Sequence, residues 1–317
     1  MIVIYTGNGE DLVVTRLGTV AVALLWVLVV AGCGQPPPSS GQDAEEETTE
    51  STGETTAETT MESTTESTTI EVGGSPELDE AADEYEAYVV EQTALLAELT
   101  EEFANAVIAG DVEQAKKLYA PARVPWERIE PIAAQLGDYD PKIDAREGDV
   151  PEDEWRGFHR IEKAFWVENT TEGQEEYARL LLEDVRSLEK EVEELELEPV
   201  DLVTGSVELL NEVSAGKITG EEERYSHTDL YDIHANVEGS EAAFEELKPE
   251  VAGEDMALAN DVEEGFDRVY EELDQYRQGD GWVSYEKLDE ADRRALSQKV
   301  DALAEPLSRV GQVLEEH

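Results

Sequence analysis

Apolar residues recur at helical spacing along most of the chain after residue 78. In the first segment they fall three or four positions apart until Gly110 ends the run. This spacing puts apolar side chains on one face of a helix. Comparable stripes cover residues 177–195, 256–276 and 296–314. The alternation of apolar and polar residues that is typical of strands is essentially absent, so the chain is predicted to be all-α.

Proline and glycine divide the helical pattern into short pieces. Three prolines fall in segment 111–135, which is therefore predicted to be a kinked or broken helix. Residues 137–150 are predicted to form a loop, with a new helix beginning near Asp149, and short helices are expected around 221–236 and 241–247. Interrupted helices argue against one extended coiled coil. They favour a double helical bundle packed as one unit.

The N-terminal residues have the pattern of a lipoprotein signal peptide. An apolar run from Val20 to Val30 follows Arg16 and is too short for a confident membrane span. The run ends in Val-Ala-Gly-Cys, which resembles the lipobox of bacterial lipoproteins, whose cysteine is acylated. Cys33 is the only cysteine, so an intramolecular disulfide is impossible. Residues 1–33 are predicted to be the signal peptide and Cys33 the site of lipidation.

The next segment, residues 34–77, is rich in Pro, Ser, Thr and Glu. The sequence Thr-Thr-Glu-Ser-Thr occurs at 48–52 and again at 64–68, and apolar residues are nearly absent. Such a composition cannot bury a core. We expect an acidic, disordered tether between the lipid and a folded helical domain at residues 78–317.

The chain is strongly acidic. It carries 78 acidic and 23 basic residues, a formal net charge of −55. Nucleic acid is therefore excluded as a partner, because phosphate backbones need basic surfaces. A cation ligand is compatible with this charge. Dense surface acid also keeps a protein soluble, so the charge alone does not identify a binding site.

Paired acids and one histidine are the candidate metal ligands. His159 stands three residues before Glu162 in a segment predicted to be helical, so both side chains can reach one ion. Glu127 and Glu130 repeat this spacing, and Asp144 lies in the predicted loop between the two pairs. Helical bundles build metal sites from such inward-pointing carboxylates and histidines. Carboxylates with one imidazole suit iron, and zinc or copper could substitute.

Each of these residues also has a purely structural interpretation. The Glu127–Glu130 pair could be a solvated helix face in so acidic a chain. Asp144 could be a turn residue or a helix cap, and His159 a core histidine satisfied by hydrogen bonds. Spacing alone does not decide between these interpretations and metal binding.

Segment 223–239 holds two of the four histidines of the chain. If it is helical, His227, Tyr231 and His234 share one face, and Asp229 lies on another. These side chains cannot then all meet one ion. The segment could form the wall of a cleft, or a polar helix that caps the bundle.

Four segments follow one another along the chain: Ala-Arg-Val-Pro-Trp-Glu-Arg-Ile-Glu-Pro at 122–131, Ile-Asp-Ala-Arg at 143–146, the pair His159 and Glu162, and Tyr-Ser-His-Thr-Asp-Leu at 225–230 with Ala-Asn-Val-Glu-Gly at 235–239. Together and in this order they resemble the imelysin-like domain of the EfeO/EfeM family, the extracytoplasmic component of the Efe-type iron-uptake system.

The resemblance implies an α-helical double bundle with a metal site near its middle. It implies that His159 and Glu162 are a metal-binding pair, and that Glu127, Glu130 and Asp144 are further acidic positions of the site. It places Tyr225, His227 and Asp229 in the binding cleft.

The resemblance also implies a function. Members of the family often carry an N-terminal cupredoxin domain, but this chain has only the tether there, as in the short EfeM type. It would capture ferrous or ferric iron at the cell membrane, held by its lipid anchor, and deliver it to an Efe-type membrane permease. Iron oxidation would come from a partner such as the haem peroxidase component of the system.

A binding protein rather than an enzyme is therefore expected. Two alternatives remain. The first is a metal-dependent peptidase of the imelysin-like group, although His159 is followed by Arg160, so the His-Glu-x-x-His motif is missing. The second is a polysaccharide-binding surface lipoprotein, although the net charge would repel an acidic polysaccharide.

Overall fold

The computed structural model describes residues 74–315, and the predicted signal peptide, Cys33 and nearly all of the tether lie outside them. The described residues form ten α-helices: α1 Pro76–Ile108, α2 Val112–Ile129, α3 Asp140–Ile143, α4 Phe158–Lys163, α5 Glu175–Glu191, α6 Pro199–Ala215, α7 Asp229–Glu254, α8 Met256–Leu273, α9 Glu290–Leu307 and α10 Val310–Glu315. The only strands in this part of the chain are the antiparallel pair β1 Arg277–Gln278 and β2 Gly281–Trp282. The all-α prediction is confirmed.

The helices pack as two groups that share one core. In the first group α1 packs against α2 and α5, and α4 lies against α2 and α5. In the second group α6, α7, α8 and α9 pack in a ring of neighbours. Helix α7 joins the groups, because it also packs against α1 and α2. This is the double bundle that the apolar stripes predicted. None of the helices in residues 74–315 is long and apolar enough to cross a membrane.

The segment after α2 differs from its prediction. Helix α2 continues through Pro121 and Pro125 and changes, next to Pro131, into a kinked 3-10 segment at Glu130–Tyr139, whose backbone is non-helical at Ile132 and Gly137. The 3-10 helix leads directly into α3, so residues 137–150 are only partly a loop. Two interior prolines thus do not end α2, which is packed on both sides by other helices.

Two predicted helix starts are wrong. The helix expected near Asp149 begins only at Phe158, after Gly157 with a φ of 90°. A Cβ at Gly157 would lie 2.3 Å from the carbonyl oxygen of Ile143, so only glycine fits there. The helix expected from residue 221 begins at Asp229. His227 has a φ of 56° and lies before α7, so the predicted helix face shared by residues 227, 231 and 234 does not form.

Two glycines set the distance between the helices around the centre of the molecule. A Cβ on Gly239 of α7 would lie 2.1 Å from the carbonyl oxygen of Arg128 in α2. A Cβ on Gly205 of α6 would lie 1.7 Å from the carbonyl oxygen of Pro131. The end of α2 and the start of the 3-10 helix therefore contact α6 and α7 backbone to backbone. This close approach brings the side chains of Glu127 and Glu130 between these helices.

Candidate metal centre

The candidate centre lies where α2, α4 and the loop after α3 meet the irregular segment before α7. Phe158 anchors α4 by packing against the rings of Tyr119 and Phe103, with centroid distances of 6.1 and 5.7 Å. The next residue, His159, is 1% exposed. Asp144 follows the last residue of α3, and its side chain is also buried.

The two ring nitrogens of His159 face different groups. Nδ1 lies 3.3 Å from Oε2 of Glu162 and 3.4 Å from the hydroxyl of Tyr119. Nε2 lies 3.4 Å from Oδ1 of Asp144 and 3.9 Å from Oε1 of Glu222, and makes no hydrogen bond. Nε2, which faces two carboxylates, is therefore the ring atom that would take an ion in exchange for its proton.

Burial and the Arg123 guanidinium would lower the pKa of His159, but interactions with Asp144 and Glu162 outweigh them and raise it to about 10. The ring is therefore an imidazolium at neutral pH when no metal is bound. A metal ion at Nε2 would have to displace a proton.

The side chain of Glu162 is held in place by backbone hydrogen bonds as well as by His159. Its Oε1 accepts hydrogen bonds from the backbone N–H groups of Tyr225 and Ser226, at 2.9 and 2.7 Å. Burial would raise the pKa of Glu162, but the hydrogen bond from His159 and these two N–H groups keep it below the usual range. Glu162 thus faces the ring as a carboxylate in a fixed orientation.

Two trios of side chains could each hold an ion. One is Asp144, His159 and Glu222, and the other is His159, Glu162 and Glu223. In each trio the possible ligand atoms lie within 4.8 Å of one another. Metal–ligand bonds of about 2.1 Å separate neighbouring ligands by roughly 3.0–3.4 Å, so small movements would close either trio around an ion.

Glu222 and Glu223 were not predicted from the sequence. They are buried, whereas Glu221 beside them is exposed. Their only sequence signal is the run of three glutamates, which is weak in a chain with 78 acidic residues. Burial, together with the negative charge of Glu162, raises the pKa of Glu223 to about 8.

Arg123 of α2 is the central counter-charge of the site. It is completely buried, and its guanidinium pairs with Glu127 and Asp144. Its Nε lies 2.8 Å from Oε1 of Glu223, and one Nη lies 3.3 Å from Oδ2 of Asp232. Burial would raise the pKa of Asp144, but Arg123 holds it well below its usual range.

The structure places Glu127 and Glu130 against a buried lysine rather than against His159. Nζ of Lys217 lies 2.9 Å from Oε2 of Glu127 and 2.6 Å from Oε2 of Glu130. Nδ2 of Asn236 donates to the same two oxygens, at 3.0 and 2.7 Å. As ligands of an ion beside His159, the two glutamates stay a prediction.

The three predicted cleft residues lie in different places. The hydroxyl of Tyr225 donates to Glu147, while Nε2 of His227 lies 3.8 Å from Glu286. Asp229 is buried at the start of α7 and accepts a hydrogen bond of 3.3 Å from the backbone N–H of Glu223. It therefore supports the segment that carries Glu223. Burial raises the pKa of Asp229 to about 6.

A cavity of about 500 Å³ opens beside the centre, and it is lined by eight acidic residues and one basic residue, Arg146. Asp144 and Glu222 belong both to this lining and to the first trio. Tyr225, His227 and Asp229 do not line it. A cation in the cavity would thus meet two carboxylates that also face His159.

Comparison with known proteins identifies the class. The imelysin family model (peptidase M75) matches residues 81–310. The crystal structure of a candidate iron-regulated protein A precursor from Parabacteroides distasonis superposes with a TM-score of 0.61 at 17% identity, covering 76% of this chain and 97% of that one. Both findings define an imelysin fold.

Relatives of similar sequence identify the family within the imelysin class. The chain is 44% identical over 243 residues to an Efem/EfeO family lipoprotein of Staphylococcus haemolyticus, covering 75% of this chain and 85% of that protein. It is 46% identical to the iron uptake system component EfeO of Escherichia coli and 44% identical to EfeM of Bacillus subtilis, covering 73% and 76% of this chain. The chain spans only 62% and 63% of those two proteins. It belongs to the EfeO/EfeM family of imelysin proteins.

Proposed function

We propose that this protein binds iron outside the cytoplasm and delivers it to the membrane permease of an Efe-type iron-uptake system. The observation that carries the proposal is the buried His159, whose Nε2 has no hydrogen-bond partner and faces Asp144 and Glu222. Relatives named as iron uptake system components support iron as the substrate.

The ligands of the iron are Asp144, Nε2 of His159 and Glu222. This trio is favoured over the one with Glu162 and Glu223 because two of its members also line the acidic cavity. In addition, the carboxylate of Glu162 is already engaged in hydrogen bonds with Nδ1 of His159 and with two backbone N–H groups. Hard carboxylate oxygens with one imidazole suit iron, and zinc or copper are possible substitutes.

The acidic cavity is the route by which the ion arrives. Its lining has eight acidic residues against one basic residue, so it attracts cations from solvent. Asp144 and Glu222 belong to this lining, are buried, and face His159. An ion that enters the cavity therefore reaches the ligands without crossing the apolar core.

Attachment and partners complete the proposal. Lipid on Cys33 holds the protein at the outer side of the cell membrane, and the tether of residues 34–77 gives the helical domain reach to the permease. The haem peroxidase component of the system is the partner that would change the oxidation state of the iron. A relative named as a lipoprotein supports the anchor.

The test is an anaerobic calorimetric titration of the full chain with Fe(II). The wild type, His159→Ala and His234→Ala are compared. His234 is the matched control, because it pairs with Glu238 and Arg277 away from the centre. We expect near-stoichiometric binding by the wild type and the control, and loss of binding in His159→Ala. Equal binding by all three proteins would mean that iron associates only with diffuse surface charge.

A metal-dependent peptidase is the second candidate, favoured by the peptidase class in the name of the matching family model. The same metal centre would then activate water rather than hold an ion for delivery. Incubation of the zinc-loaded wild type and His159→Ala with a mixed peptide substrate separates the two functions. Hydrolysis by the wild type alone would replace the delivery proposal.

A further inference from the structure

Glu147 joins the three segments of the chain that carry the proposed ligands of the iron. It lies three residues after Asp144, in the loop that follows α3. One oxygen of its carboxylate, Oε1, pairs with the ammonium of Lys163 at the end of α4, and the other, Oε2, accepts a hydrogen bond from the hydroxyl of Tyr225. The loop, the helix of His159 and the segment before α7 therefore meet at a single carboxylate.

Each of the two partners of this carboxylate lies close to the metal centre along the chain. Lys163 follows Glu162 directly and stands four residues after His159 in α4. The backbone N–H of Tyr225 donates to Glu162 at 2.9 Å, and Tyr225 comes three residues after Glu222. An ion held by the proposed ligands would join the same three segments from the inside.

The contacts of Glu147 lie at the surface, whereas the proposed ligands are buried. The side chain of Glu147 is 40% exposed and that of Lys163 is 29% exposed, and neither residue lines the acidic cavity. Exposed ion pairs add little to the stability of a fold, so these contacts can break without unfolding the bundle. Residues 144–157 and 221–228 consist of turns and irregular backbone. Opening the centre on this side therefore needs only local movement of these two segments.

We propose that Glu147 is a positioning residue that closes the outer side of the metal centre and slows the release of the bound ion. The inference rests on the proposed function, because it takes Asp144, His159 and Glu222 as the ligands. While the carboxylate holds its two partners, the three ligand-bearing segments stay at the separation that the ion requires. When both contacts break, the segments move apart and the ion leaves. Delivery of iron needs such an opening, because the ligands themselves are buried.

The test is the rate at which Fe(II) leaves the full chain. Protein loaded with Fe(II) under anaerobic conditions is mixed in a stopped-flow instrument with an excess of a chromogenic Fe(II) chelator. Glu147→Ala is compared with the wild type and with Glu152→Ala, which removes the same charge from an exposed position of the same loop. We expect release to be roughly 10-fold faster in Glu147→Ala, as is typical when a group that orients metal ligands is lost, and unchanged in Glu152→Ala.

A second variant tests the contact itself. Tyr225→Phe removes the hydroxyl that donates to Glu147 and leaves the backbone N–H that donates to Glu162. It should also release Fe(II) faster than the wild type does. The double variant with Glu147→Ala should release the ion no faster than Glu147→Ala alone, because both changes break the same contact. The association rate should stay close to that of the wild type, since the acidic cavity is intact in every variant.

The outcomes separate this inference from the proposed function. Equal release rates in the wild type and Glu147→Ala would overturn the inference and leave the iron-binding proposal intact. Equal acceleration in Glu147→Ala and Glu152→Ala would overturn it too, since the loss of charge alone would then be the cause. No binding of Fe(II) by the wild type overturns the inference and the proposed function together. If Glu147→Ala lowers the unfolding midpoint of the metal-free protein, Tyr225→Phe decides, and unchanged release by that variant overturns the inference.

Discussion

Nδ1 of His159 lies 3.3 Å from Oε2 of Glu162, one turn further along α4. The other oxygen of the same carboxylate binds the backbone N–H groups of Tyr225 and Ser226. Glu162 therefore fixes the histidine ring and, at the same time, the segment that carries Glu222. In the proposed site the His-x-x-Glu spacing would thus orient the histidine rather than supply two ligands, which is how carboxylates commonly act on metal-bound histidines.

If Glu162 orients His159, then Glu162→Gln weakens metal binding without abolishing it. Outer partners of this kind typically change metal affinity by about 10- to 100-fold. The measurement is Zn(II) affinity by competition with a chelator, with Glu168→Gln as the exposed control on the following turn. Complete loss of binding in Glu162→Gln would instead identify Glu162 as a direct ligand.

The glutamates at 221, 222 and 223 form a natural series of controls. Each is changed to glutamine in turn. Because Glu222 faces Nε2 of His159 and Glu221 is exposed, we expect a loss on the order of 100-fold for Glu222→Gln and no change for Glu221→Gln. Glu223→Gln should have a smaller effect than Glu222→Gln. The reverse order between those two would favour the trio of His159, Glu162 and Glu223.

Metal affinity should rise with pH, and the slope identifies the ligands. Burial opposes the charge on His159, but its interactions with carboxylates raise its pKa to about 10, so a metal ion displaces one proton at neutral pH. Asp144 has a lowered pKa and releases none. Zn(II) affinity should therefore rise roughly tenfold per unit between about pH 5 and 7.

If the ion is held by His159, Glu162 and Glu223 instead, Zn(II) affinity depends more steeply on pH. Burial raises the pKa of Glu223 to about 8, so its use as a ligand would release a second proton over the same range. The slope would then approach roughly 100-fold per pH unit. Chelator competition at several pH values measures it, and a flat profile would contradict both assignments.

Apolar periodicity was enough to predict α1, α5, α8 and α9, because each of these helices buries one regular stripe. It was not enough for the segment from residue 130 to 157, where 3-10 geometry and turns leave no period to detect. The start of α4 depends on Gly157 meeting the backbone near Ile143, a contact between residues that are distant in sequence.

The site was predictable only in part, for a related reason. Spacing identified His159 and Glu162 because both lie on one helix. Glu222 lies in an irregular segment, so no pattern separates it from dozens of surface acids. The pairing of Glu127 and Glu130 with Lys217 joins residues about 90 positions apart. It depends on the packing of α2 against α7 and of the following 3-10 segment against α6.

The contact of α7 with α2 should therefore control both the stability of the fold and the hydrogen bond between Asn236 and Glu127. Gly239→Ala would put a Cβ 2.1 Å from the carbonyl oxygen of Arg128, and two helix backbones would have to separate. Overpacking of this kind typically costs about 1–3 kcal/mol.

Gly253 provides the matched control. It lies in the same helix, and a Cβ there would meet nothing within 4 Å, so Gly253→Ala should be neutral or stabilise the fold by up to about 1 kcal/mol. Denaturant unfolding of the two variants measures the difference, and equal stabilities would show that the helices are free to move apart. If Gly239→Ala also moves Asn236 away from Glu127, the hydrogen bond between these two side chains weakens at the same time.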